Sequence, residues 1–192
     1  MAVTRRGLMA LGGAWALALS PQTANAASSG ETAASFTFET IEGPLSLNQF
    51  AGKVLLIVNT ASKCGFAPQL SSLETLWGRY RDRGLVVVGV PSGDFGKQEL
   101  ANARAIKTFC AMEFGVTFPL TVKTSVSGPS AHPFYQWAAR ERPGSGPRWN
   151  FHKYLIGRDG RVAAVFPTAV DPLEDKVVAA IEAALGVSAV GG

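Results

Sequence analysis

Val54-Leu55-Leu56-Ile57-Val58-Asn59-Thr60-Ala61-Ser62-Lys63-Cys64-Gly65-Phe66 changes character after its fifth residue. Val54 to Val58 is a continuous apolar run rich in branched side chains, the composition of a central strand buried on both faces. The polar stretch that follows carries a cysteine. Pro68 then opens a helix whose Leu70, Leu73, Leu76, Trp77 and Tyr80 recur at helical spacing, and Gly84 ends it. Strand, polar corner and helix together place Cys64 just beyond the carboxyl end of a buried strand. Open sheets built this way gather their reactive groups there.

Working outward, Leu85 to Val90 reads as a second buried strand, and Glu99 to Phe114 as a helix carrying Leu100, Ile106, Phe109 and Cys110. Thr117 to Val122 is extended, and Pro133 to Arg140 suits a short helix. Tyr154 to Ile156 and Val162 to Phe166 flank Arg158-Asp159-Gly160, a hairpin turn. Asp171-Pro172 starts a last helix that ends near Leu185, and Ser35 to Leu47 alternates around Gly43-Pro44 as an early hairpin or two short strands. Early alternation of strand and helix with a late hairpin predicts one α/β domain over residues 35–192. Its plan is thioredoxin-like, a central mixed sheet flanked by helices on both faces. The segment Arg140 to Arg148 is a polar, Gly/Pro-rich loop.

Residues 1–26 read as an export signal: Arg5-Arg6, the apolar run Gly7 to Ala18, and the small-residue cleavage site Ala24-Asn25-Ala26. The order Thr4-Arg5-Arg6-Gly7-Leu8-Met9 resembles a twin-arginine signal, and an ordinary Sec signal is the alternative. Either route predicts export, with the bacterial periplasm as destination. Residues 27–34 are small and polar and are expected to form a mobile leader. No later apolar run has the length to span a bilayer. The formal net charge is +4, and without Arg5 and Arg6 the 18 basic residues become 16 against 14 acidic. So small an excess, with no basic stripe, argues against a nucleic-acid partner.

A thiol near a helix N-terminus with Lys63 beside it favours the thiolate, the form that attacks electrophiles. Thioredoxins hold C-x-x-C at this corner, whereas this chain has Cys64-Gly65-Phe66-Ala67. The missing second thiol counts against a general disulfide oxidoreductase and against copper delivery. Taken alone, Cys64 reads equally as a nucleophile or as a buried core thiol. His132 and His152 are the only histidines and have no metal-ligand companions at useful spacing, so no metal is expected. His132, before Pro133, reads as a helix-start or packing residue, and His152 as a strand residue. No glycine-rich phosphate loop stands between a strand and a helix, and no cofactor is expected.

Four landmarks in order decide between the readings of Cys64. Val58 to Phe66 resembles the nucleophile segment of glutathione peroxidases in the cysteine-using form. Phe95-Gly96-Lys97-Gln98-Glu99 resembles the family's glutamine segment, Gly115 to Leu120 its next landmark, and Trp149-Asn150-Phe151 its tryptophan-asparagine segment. The resemblance runs from about Phe36 to Leu185. It implies that Cys64 is the peroxidatic nucleophile, with Gln98, Trp149 and Asn150 as the polar residues around it. The chemistry is consistent: heterolysis of a peroxide O–O bond places negative charge on oxygen, and amide and indole N–H donors stabilise that charge without titrating near neutral pH.

The resemblance further implies that Cys110 is the resolving cysteine of the thioredoxin-dependent branch. Cys64 would become a sulfenic acid, Cys110 would condense with it, and a thioredoxin-like donor, or glutathione, would reduce the disulfide. The alternative is that Cys110 is a core residue of its helix. Pro91-Ser92-Gly93-Asp94 departs from the family's Pro-Cys-Asn-Gln, and Asp94 is expected to add negative charge near the site. The short loop Ala139 to Arg148 resembles that of the monomeric branch, whose open site accepts lipid hydroperoxides. Two functions stay open: a peroxidase for hydrogen peroxide and organic hydroperoxides, and a redox sensor whose cysteine pair is read by a partner.

Overall fold

The computed structural model describes residues 1–2 and 30–186, so nearly all of the expected export signal lies outside the described residues. The seven residues of β3 (Val54–Thr60) are all buried and form the middle of the main sheet. β3 runs parallel to β4 (Leu85–Pro91), from Val54 opposite Leu85 to Thr60 opposite Pro91. The helix α1 (Gln69–Tyr80) makes the crossover between them. On its other edge β3 pairs antiparallel with β5 (Lys153–Ile156), which turns back into β6 (Val162–Phe166). The strand order is β4-β3-β5-β6, the mixed, thioredoxin-like sheet expected.

Alternation along β3 serves two cores. Val54, Leu56 and Val58 pack with Leu70, Leu73 and Leu76 of α1 and with Val177 and Ile181 of α4 (Asp175–Leu185). Leu55 and Ile57 face Phe134 and Trp137 of α3 (Pro133–Glu141), together with Phe38. Phe38 belongs to a separate hairpin, β1 (Thr37–Thr40) with β2 (Gly43–Ser46). The helix α2 (Ala103–Phe114) contributes Ile106 and Cys110 to the first core. Among the described residues no helix is long and apolar enough to cross a membrane.

Four local expectations need correction. The helix expected from Glu99 starts at Ala103, because Asn102 caps it through Oδ1 to the Ala105 N–H at 2.9 Å, while Glu99 is drawn to the Cys64 corner. The stretch from Thr117 to Val122 forms a single bridge, Gly89 with Leu120, since Pro119 has no N–H to extend a ladder. The last helix begins at Asp175, because Asp171 and Glu174 cap each other's turn: Asp171 N donates to Glu174 Oε1 and Leu173 N to Asp171 Oδ1. The described part of the expected mobile leader is packed. Ala33 is buried and its N–H donates to Gly160 O, while the Glu31 carbonyl accepts from Trp137 Nε1 at 2.9 Å.

Candidate active site

Cys64 lies in a run of tight turns that leads from β3 into α1. Its N–H donates to Ala61 O, its carbonyl accepts from Ala67 N at 2.8 Å, and Leu70 N reaches back to Ala67 O. These turns hold the thiol below the surface, 6% exposed, beside the 39% exposed Phe66. From the glutamine segment, Gln98 O accepts the N–H of Lys63 at 2.8 Å, which fixes the residue before Cys64.

Asn59, the next-to-last residue of β3, binds the tryptophan-asparagine segment through four hydrogen bonds. Its Nδ2 donates to Trp149 O (3.1 Å) and its Oδ1 accepts from His152 N (3.1 Å). Its backbone N–H donates to His152 O (3.3 Å) and its carbonyl accepts from Phe151 N (2.6 Å). The tight turn so held puts Phe151 in the left-handed region at φ 63°, a conformation that a bulky side chain adopts only under constraint. A second tie comes from Lys153, whose Nζ donates to Phe151 O at 2.7 Å.

Asn150, fully buried between these ties, donates from Nδ2 to Gln98 Oε1 at 3.1 Å. Gly96 (φ 64°) and Lys97 (φ 52°), two successive left-handed residues, turn the chain into Gln98. The bond to Asn150 occupies the Gln98 oxygen and leaves its amide N–H donors uncommitted. Trp149 stands 39% exposed, its ring 5.9 Å from that of Phe95. Gln98 and Asn150 thus meet directly, and Trp149 is held by its carbonyl. The Asn150 amide is used up on Gln98 Oε1 and Phe95 O (3.4 Å), so the free donors that result are the Gln98 N–H groups, the type that stabilises charge developing on oxygen.

Cys110 is also a free thiol, buried on α2 in the same apolar core as Cys64. Burial, and then the charge of Glu99, push its pKa up to about 12. In the reduced protein it is a neutral, poorly nucleophilic thiol. The Asp94 carboxylate, expected to add negative charge near the site, is engaged by a neighbouring loop. Asp94 Oδ2 accepts from Val126 N (2.7 Å), Ser127 N (2.9 Å) and the hydroxyls of Ser125 and Ser127, so Asp94 ties down the loop of residues 125–127. Ser92 is buried and its Oγ accepts from Asp94 N.

Three residues of this region were not singled out by sequence: Asn59, Glu99 and Lys153. For Asn59 the signal was a polar residue closing an apolar strand, and for Lys153 a lysine at the head of the run Tyr154-Leu155-Ile156. Lys153 is fully buried, which lowers its pKa to about 8 against the raising effect of Asp171 and Glu174. His152 immediately precedes β5 rather than lying in it. Burial and the Lys153 charge lower its pKa to about 4, and its Nε2 has no partner. His132 both caps α3, accepting from Phe134 N, and stacks on Phe38 with ring centroids 4.1 Å apart.

Residues 34–139 match the family described as Glutathione peroxidase. The hydroperoxy fatty acid reductase gpx1 of Synechocystis sp. is 42% identical over 157 residues, covering 77% of this chain and 92% of that protein. The glutathione peroxidase-like peroxiredoxin 2 of Saccharomyces cerevisiae is 42% identical over 129 residues, covering 65% of this chain and 80% of its own. The crystal structure of Trgpx in its apo form superposes with a TM-score of 0.63 at 35% identity, over 80% of this chain and 97% of that one. A cysteine corner at the end of β3, an amide pair brought together from two segments, and this degree of likeness have one explanation: the chain belongs to the glutathione peroxidase family.

Proposed function

We propose that the protein is a thiol peroxidase that reduces hydrogen peroxide and organic or lipid hydroperoxides through Cys64. The observation that carries this reading is the Asn150–Gln98 hydrogen bond, which leaves the Gln98 N–H donors free beside the segment that holds the nucleophile. The Cys64 thiolate attacks the terminal oxygen of the hydroperoxide. The O–O bond breaks, sulfur takes the hydroxyl as a sulfenic acid, and the departing oxygen leaves as an alcohol after gaining a proton. The N–H donors of Gln98 and Trp149 stabilise the charge on the two oxygens, while Asn150, whose amide donates to Gln98 Oε1 and Phe95 O, sets which face Gln98 presents. Cys110 then displaces water from the sulfenic acid to give a Cys64–Cys110 disulfide. A thioredoxin-like dithiol reduces it by two exchange steps, each breaking one S–S bond and forming another until both thiols are restored. Likeness to a hydroperoxy fatty acid reductase and to a peroxiredoxin-type relative supports the lipid hydroperoxide substrate and the dithiol donor. The half-exposed Phe66 and Trp149 supply an apolar rim that suits such a substrate.

The test is peroxide consumption with thioredoxin and with glutathione as separate donors. Sustained turnover with thioredoxin, abolished in Cys64→Ser because a hydroxyl is barely ionised at neutral pH, is the expected result. Undiminished consumption by Cys64→Ser would refute it, and disulfide formation without turnover on any dithiol donor would favour a redox sensor. The protein acts as an exported monomer in this reading, supported by residues 1–26 of the sequence and by the short loop after α3. Cell fractionation of the full-length product and sedimentation of the purified protein check these two points.

A further inference from the structure

Burial leaves the Cys110 thiol without a ready way to lose its proton, since its pKa lies near 12. Resolution of the sulfenic acid nevertheless requires its sulfur to become a nucleophile. A base has to stand near the place where the two sulfurs meet.

Glu99 is a half-buried acidic group that the peroxide step leaves unused. Its Oε1 accepts three hydrogen bonds, from Ser62 N at 3.2 Å, from the Ser62 hydroxyl, and from Leu100 N at 2.7 Å. Ser62 stands two residues before Cys64, so the carboxylate is tied to the Cys64 corner rather than to α2. Its second oxygen, Oε2, is buried and has no hydrogen-bond partner. Besides the neutral Ser62 donors, the charged and titratable groups that act on this carboxylate are Lys123, from the loop after α2, and Cys110, from α2 itself.

We propose that Glu99 is the general base of the resolving step, accepting the Cys110 proton on Oε2 as the Cys110 sulfur attacks the Cys64 sulfenic acid. The S–S bond forms as the S–O bond breaks. The departing hydroxide takes the proton from Glu99, so water leaves and the carboxylate is restored. Cys64 sulfur is reduced by the amount that Cys110 sulfur is oxidised, and no outside reductant enters. Burial raises the Glu99 pKa, which makes it a stronger base than a surface carboxylate. The inference rests on the peroxidase reading above.

The two are separated by following both steps in one experiment. The reduced full chain is mixed with one equivalent of hydrogen peroxide, sulfenic acid is trapped with a dimedone probe at intervals, and the disulfide is counted by mass spectrometry. Glu99→Gln retains an oxygen to accept from Ser62 and Leu100 but cannot take up a proton. In this variant sulfenic acid still forms, persists, and is converted to the disulfide about 10²-fold more slowly. The acid limb of the resolution rate, where Glu99 protonates in the wild type, disappears. Resolution at the wild-type rate and pH dependence would overturn the proposal. An equal slowing of both steps would also overturn it, because it would reveal a structural role only. Absence of sulfenic acid and disulfide in the wild type would instead remove the peroxidase reading, and this inference with it.

Discussion

At the scale of single residues, the candidate site depends on groups that hold its segments in place. Asn59 spends both ends of its amide on Trp149 and His152, and its backbone on Phe151 and His152. Replacing it by Asp keeps the acceptor for His152 N but sets a carboxylate against the Trp149 carbonyl. The expected outcome is a loss of roughly 1–3 kcal/mol of stability. It should be accompanied by at least a tenfold slower single-turnover oxidation of Cys64, because Trp149 and Asn150 are no longer held. Stopped-flow oxidation and a urea titration measure the two effects separately, and an unchanged oxidation rate would show that Asn59 does not position the segment. Gly89 shows the same dependence in packing. A Cβ there would stand 2.5 Å from Leu120 Cδ2 and 3.1 Å from the Phe118 ring, at the one bridge between β4 and the chain after α2. Gly89→Ala should lower stability by about 1–3 kcal/mol, read as a shift in the urea midpoint at constant slope.

At the scale of elements, α2 has two requirements that compete. It must bury Cys110 and Ile106 to complete the core, and in the proposed cycle it must release Cys110 toward Cys64. Its C-terminal end closes on Gly115 at φ 67°, whose N–H reaches the carbonyls of Ala111 and Cys110. A Cβ on Gly115 would meet nothing within 4 Å, so Gly115→Ala acts through backbone conformation alone. The cost is about 1 kcal/mol, and it falls on the turn that carries Cys110. Such a variant should have lower stability and form the Cys64–Cys110 disulfide up to about fivefold faster, since local opening becomes easier by the same amount. Slower resolution in this variant would mean that the closed helix, not the opened one, reacts.

At the scale of the whole molecule, buried ionisable groups set how stability follows pH. His152 has a folded pKa near 4 against an ordinary value of 6.5. Between those values the unfolded chain binds a proton that the folded chain excludes, so stability rises with pH through that window and is flat for this group above it. Glu99 has the opposite sign. Its raised pKa makes the folded state bind a proton that the unfolded chain has released, and that contribution is lost as pH rises above about 4.5. Lys153, near 8 when folded against 10.5, adds a further rise in stability between those two values. His152→Phe keeps an aromatic ring against Tyr154 and removes only the first effect. The difference in unfolding free energy between pH 4.5 and pH 7 should shrink by roughly 1–3 kcal/mol in this variant. An undiminished difference would mean that His152 is solvated in the folded state.

The sequence by itself determined the α/β class, the buried β3 strand, the helix after it and the position of Cys64 between them. These depend on apolar runs, helical spacing and turn residues that act over a few neighbours. Apolar periodicity sets the starts of α2 and α4 four residues early, because the Asn102 cap of α2 and the hydrogen-bonded Asp171–Glu174 turn before α4 compete with it and win. The family landmarks named Gln98, Trp149 and Asn150, but only the tertiary structure joined them. Asn150 meets Gln98 across 52 residues, and Asn59 meets Trp149 across 90. Tertiary structure also decided that Asp94 ties down a loop, that Cys110 is a buried neutral thiol, and that Glu99 anchors the cysteine corner. Hydrogen-bond partners and dielectric surroundings are properties of groups that folding brings together, and the order of residues along the chain does not contain them.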